Sequence, residues 1–156
     1  MRSLYVSLTI FLATSSTRAD DPVAVARMIL DDATAPDKRT ALIRDHTAKS
    51  PELIAAMTAD IKPGAEEYRR IPWIWRIAIA AGRRNDVTEM RRILDASLPK
   101  LGQPLRDWQA VAVGGGLVNG VSLEKQWPLE RLNELLKDDR ELTKRWHAAL
   151  ALAHVM

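Results

Sequence analysis

The chain has 156 residues, 47% apolar and 28% charged, with a formal net charge of +3 and no cysteine. That length suits one domain with a continuous core. The missing thiols exclude disulfide frameworks, cysteine-ligated zinc, iron–sulfur clusters, thiol catalysis and covalent c-type haem attachment.

The first predicted element is an address. Met1-Arg2 gives a short positive start, Leu4 to Ala13 is a ten-residue apolar stretch, and small Thr17 and Ala19 precede Asp20 as a signal peptidase requires. A helix of that length rises about 15 Å, half the hydrocarbon core of a bilayer, so residues 1–19 are expected to be a signal peptide cleaved after Ala19. The remaining domain, residues 20–156, is then exported to a periplasmic or extracellular space and keeps no stable membrane anchor. Removing Arg2 and Arg18 from the 23 basic residues leaves 21 against 20 acidic ones, a balance of +1. A genome-binding protein carries a larger basic surplus, so no nucleic-acid partner is expected.

The rest reads as helix after helix, with no alternating β-branched run. Proline repeatedly stands where a first helical turn would be, the place where its missing N–H costs nothing. Asp21-Pro22 opens a helix to about Asp31 and Pro36 opens another. Ser50-Pro51-Glu52 starts a third, with Ser50 as cap and Leu53, Ile54, Met57 and Ile61 as an apolar stripe. Lys62 to Arg70 reads as a connection, and Pro72 as the start of WIWRIAIAAG. Asp86 caps a helix bearing Val87, Met90, Ile93, Leu94 and Leu98. After a break at Pro99–Pro104 comes LRDWQAVAV. Pro128 then opens a helix with Leu129, Leu132, Leu135 and Leu136 on one side. Asp138 or Asp139 precedes the last one, which carries Leu142, Trp146, Ala149, Leu150 and Ala153.

Pro36 and Pro72 stand 36 residues apart, as do Pro51 and Val87. A period in that range marks helix-pair solenoids, whose pairs bury their apolar faces only by stacking. The expected fold is therefore all-α: a short HEAT-like α-solenoid of stacked antiparallel helix pairs. The final WHAALALAHVM stays apolar to its end without a polar capping face. A partner protein, or a C-terminal continuation of the same repeat array beyond an incomplete end, is expected to cover it.

Trp73 and Trp75 lie about 200° apart around a helix, so both are buried only if that helix has neighbours on two sides. Trp75, Arg76, Arg83, Arg84, Arg91 and Arg92 form a candidate interaction surface, since arginine forks match acidic partners and phosphates. The bland alternative is a solvated face with local ion pairs. Gly114, Gly115, Gly116, Asn119 and Gly120 read as a structural turn. Three glycines within a helix cost about 3 kcal/mol relative to alanine, and the Gly-Lys-Ser/Thr ending of a phosphate loop is missing. His147 and His154 stand seven residues apart, about 10.5 Å along an axis, too far to share a metal. No HExxH and no GxSxG occurs, so no catalytic, cofactor-binding or metal-binding residue is nominated.

The runs IPWIWRIAIAAGRRND (71–86) and LPKLGQPLRDWQAVAVGGGLVNGVS (98–122) resemble exported HEAT-repeat-like proteins of planctomycete-type bacteria. The likeness spans residues 22–155 and is most specific at Trp73–Asp86 and Asp107–Ser122. Many such proteins join their repeats to cytochrome c or haem-binding-like modules. This chain has no CxxCH, so haem binding is not carried over. The resemblance implies a secreted helical-repeat segment without assigned activity. The expected function is a non-catalytic scaffold that binds another protein. The alternatives are an enzyme with a groove between helix pairs and an anion or nucleic-acid binder acting through Arg69–Arg92.

Overall fold

A computed structural model describes residues 21–155; the expected signal peptide, residues 1–19, lies outside them. Among the described residues the chain forms eight α-helices and no strand. Most begin where local chemistry directs. Helix α1 (Pro22–Leu30) is capped by Asp21, whose carboxylate accepts from the Val23 N–H at 3.1 Å. Helix α2 (Pro36–Asp45) starts on its proline. A 3₁₀ turn, Thr47–Lys49, leads into α3 (Ser50–Thr58). There Ser50 is not the expected cap: it lies in the first turn, and its hydroxyl donates back to the Thr47 carbonyl at 2.7 Å. Asp86 caps α5 (Val87–Ser97) through the Glu89 N–H at 2.7 Å. Pro128 opens α7 (Pro128–Leu136). Asp139 caps α8 (Arg140–Ala153) through the Leu142 N–H at 2.9 Å.

Two expectations about the elements themselves also fail. Helix α4 runs from Ala65 to Arg84, so the expected connection before Pro72 is helical and Pro72 lies inside the helix. Gly64, at φ +98°, turns the chain, and Glu66 and Glu67 then suit the positive helix end. Pro72 removes one intrahelical bond, but it sits on the exposed side, where water can serve the freed Tyr68 carbonyl. The 36-residue spacing of first helices goes with it: Pro36 to Ala65 is 29 residues, while Ser50 to Val87 is 37.

The expected turn at Gly114, Gly115, Gly116, Asn119 and Gly120 is also absent. The chain winds as a π-helix over Trp108–Gly115 and continues directly as α6 (Gly116–Leu123). None of these glycines has positive φ. Gly116 and Gly120 serve close approach. A Cβ on Gly116 would lie 2.6 Å from Ala78 Cβ, and one on Gly120 2.4 Å from the Ile79 carbonyl oxygen. The two backbones touch, and packing repays the local helix cost.

Helices α1, α3 and α5 lie side by side, with α7 beyond α5. Helix α4 lies parallel to α6, since Gly116 meets Trp75 and Ala78 while Gly120 meets Ile79 and Arg83. It touches α2 on its other flank. Between the two rows run fully buried side chains at three- and four-residue steps: Ile29, Leu53, Met57, Ile74, Ile77, Met90 and Leu94, continued by Leu117, Leu132 and Leu136. Burying each contributes roughly 1.5–3 kcal/mol. Leu129, expected in the stripe of α7, is exposed instead. Among the described residues no helix is long and apolar enough to cross a membrane.

Candidate functional site

The two tryptophans of α4 engage opposite neighbours. Trp73 faces α2, its ring flanked by the guanidinium carbons of Arg39 at 5.0 Å and Arg76 at 4.6 Å. Trp75 faces α6, its Cδ1 3.4 Å from where a Gly116 Cβ would stand. Both are half-buried.

The other arginines of the candidate surface are not gathered on one face. Arg83 donates to Glu124 at 3.0 Å, from the end of α4 to the end of α6. Arg84 reaches the Thr47 carbonyl at 2.6 Å and Ser50 Oγ at 3.0 Å, and also binds Glu89. On α5 two successive arginines part: Arg91 donates to the Leu135 carbonyl of α7 at 2.7 Å, whereas Arg92 pairs with Glu52 of α3. That hydrogen bond from Arg92 holds the Glu52 carboxyl below its usual range. Among these arginines only Arg76 meets no carboxylate or carbonyl among the described residues.

What the sequence reading missed is a task shared by Arg69, Arg70, Arg91 and Arg145. The last carbonyls of a helix have no intrahelical partner, and glycine caps usually help to satisfy them. Here side chains from other helices do so. Arg69 donates to the Leu30 carbonyl of α1 at 2.5 Å and Arg70 to Met57 of α3 at 2.7 Å. Arg91 serves α7, as described. Arg145 donates to the carbonyls of Asp95 at 2.7 Å and Leu98 at 2.6 Å, at the end of α5. The available signal was indirect: these four helices end on Leu30, Thr58, Ser97 and Leu136, none followed by glycine.

Carboxylates hold this frame. Buried Glu67 accepts from Arg106 at 2.9 Å and from the Trp108 N–H at 3.2 Å, fastening the start of the π-helix to α4. Glu66 accepts from Arg69 at 2.9 and 3.0 Å and from Arg70 at 2.6 Å. Those bonds lower its pKa from 4.5 to about 2. A folded-state value below the unfolded one adds stability above the unfolded pKa, and that stability is lost as pH falls through the folded pKa. The protein therefore weakens between pH 4.5 and about 2, and Glu66→Gln removes part of this dependence. Urea unfolding of both proteins across that window checks it; parallel pH slopes would contradict the assignment.

A second feature lies at the far end. The loop between α5 and the π-helix and the latter half of α8 enclose a trough of about 630 Å³, lined by Pro99, Leu101, Pro104, Ala148, Ala151 and Leu152, with Lys100 its one charged residue. Across α8, a cleft of about 170 Å³ opens against the π-helix, walled by Leu105, Ala110, Gly114, Val118, Trp146 and Leu150. Ala149 borders both. No cluster of three histidine, aspartate or glutamate side chains able to hold a metal occurs among the described residues. No protein-family model matches the chain, and no curated protein or solved structure does.

Proposed function

We propose that the chain is a non-catalytic scaffold, a short HEAT-like α-solenoid carried out of the cell by its leader, whose surface holds another protein. One observation carries this reading. Among the described residues, every side-chain hydrogen bond that reaches further than 13 residues spans between 34 and 50. Examples run from Arg69 to Leu30, Arg92 to Glu52, Arg83 to Glu124 and Arg91 to Leu135. Most helices are thus tied about one helix pair along the chain, the contact pattern of stacked repeats, while the side-chain bonds of α2 stay local. The side-by-side row of α1, α3 and α5, and the parallel α4 and α6, support the same stacking. The dispersal and internal use of the arginines weigh against an anion-binding ridge.

Native-state hydrogen exchange on the whole chain, with and without polyphosphate, tests this. Stacked repeats open from their ends, so α1 and α8 exchange through openings that leave α4 and α6 protected. Polyphosphate adds no protection over residues 69–92. One shared opening for every helix would overturn the stacking, and polyphosphate protection there would favour the anion binder.

A further inference from the structure

We infer that the cleft between α8 and the π-helix binds a small, largely apolar molecule about the size of one ring, carrying a single hydrogen-bond acceptor. The inference goes beyond the scaffold reading and does not depend on it. The cleft holds about 170 Å³, and Leu105, Val118 and Leu150 are among its walls. Among the described residues no charged side chain lines it. Gln109, its polar neighbour, is already engaged at both ends of the amide. It donates to the Ser97 carbonyl at 2.8 Å and accepts from the Arg106 N–H at 2.9 Å. An apolar cavity of about 150 Å³ accommodates benzene, which sets the scale of the occupant.

Two observations point to a ligand rather than to loose packing. The first is Gly114 and Gly115, which border the cleft. Neither has positive φ, and a Cβ on either would meet only a carbonyl oxygen of the π-helix itself, at 3.5 and 3.6 Å. The contact with α4 that explains Gly116 and Gly120 is absent here, yet each glycine weakens a helix relative to alanine. What the pair does provide is bare backbone at the edge of the cleft, as sites do where a ligand comes close. Stretches of π-helix also gather at functional sites. The second observation is Trp146, which forms a wall of the cleft and is 2% exposed. Its indole N–H has no acceptor among the described residues, and a buried donor left unmet is costly. Trp108 shares that lack but borders neither depression, so of the two indoles that of Trp146 is the one beside empty volume. A molecule with an apolar body and one carbonyl oxygen fills the cleft and supplies the missing acceptor.

The test uses the full chain and two probes of nearly equal shape: acetophenone, which has a carbonyl oxygen, and isopropenylbenzene, which has a methylene in its place. Proton–nitrogen correlation spectra follow the indole N–H of Trp146, assigned by its loss in Trp146→Phe. Acetophenone is expected to bind saturably with a Kd below about 1 mM and to move that signal downfield. It binds at least about fivefold more tightly than isopropenylbenzene, and Trp146→Phe, which keeps an apolar wall without the donor, levels the two. Ala110→Leu and Gly114→Leu add volume at two points of the lining, and each weakens binding about tenfold or more with unchanged circular dichroism. If one of them loses its helical signal, the other decides. Equal affinity of both probes for the unaltered chain, an indole signal that stays in place at saturation, or a folded filling variant without effect would overturn the inference. None of these results bears on the order in which the helices open to exchange, so this inference and the scaffold reading fail separately.

Discussion

Gly120→Ala lowers stability by about 3 kcal/mol, although helix propensity alone favours alanine by about 1 kcal/mol. The added Cβ would stand 2.4 Å from the Ile79 carbonyl oxygen, 2.8 Å from Gly82 Cα and 2.9 Å from the Arg83 nitrogen. All three are backbone atoms of one long helix, so no side chain can swing aside and α4 and α6 must part. Gly115→Ala is the control. Its Cβ meets only the Ala110 carbonyl oxygen at 3.6 Å, so stability stays level or rises by up to about 1 kcal/mol. Urea midpoints of the two variants decide the matter. Similar shifts in both would mean that helix contact is not what these glycines serve.

Arg145→Ala costs about 3 kcal/mol or more through the carbonyls it leaves without a donor, whereas Asp95→Ala costs less than about 1 kcal/mol. The pair looks symmetrical, with 2.7 Å between Arg145 Nη1 and Asp95 Oδ1, but its surroundings are not. Arg145 is 8% exposed and also donates to the carbonyls of Asp95, Leu98 and Pro99. Without it those oxygens lose their donor in a mostly buried setting, and the 98–105 loop loses its tie to α8. The Asp95 side chain is 72% exposed, and water replaces its partner readily. Thermal and urea unfolding of both single variants measures the asymmetry. Equal losses would assign the energy to the ion pair rather than to the carbonyls.

Helix starts and buried stripes were legible because their causes are local. Asp21, Asp86 and Asp139 cap the helices they precede, and Leu53, Ile54, Met57 and Ile61 are all buried as their spacing implies. Pro72 misled because its local preference for a first turn is overridden by partners far away. The turn before it is held by Glu67 on Arg106 and Trp108 and by Arg69 on Leu30. The glycine run misled for the same reason, since its compensation lies on α4. Of the candidate surface, Arg84 and Arg91 could not be placed from sequence, because the carbonyls they bind lie 37 and 44 residues away. The apolar end of α8 was foreseeable from composition. The two depressions beside it were not, because the fold alone brings the 98–105 loop to one side of α8 and the π-helix to the other.

The π-helix is moored at both ends to one long helix, α4. Glu67 fastens the backbone at Trp108, and Ala78 and Ile79 receive Gly116 and Gly120. The number of residues between the moorings is thus dictated by α4, not by the side chains that fill the interval. Exposed Val111 can be exchanged freely. Losing or gaining a single residue there would swing the glycines by about 100° off their seat. Evolution can rewrite the spelling of this stretch but not its length.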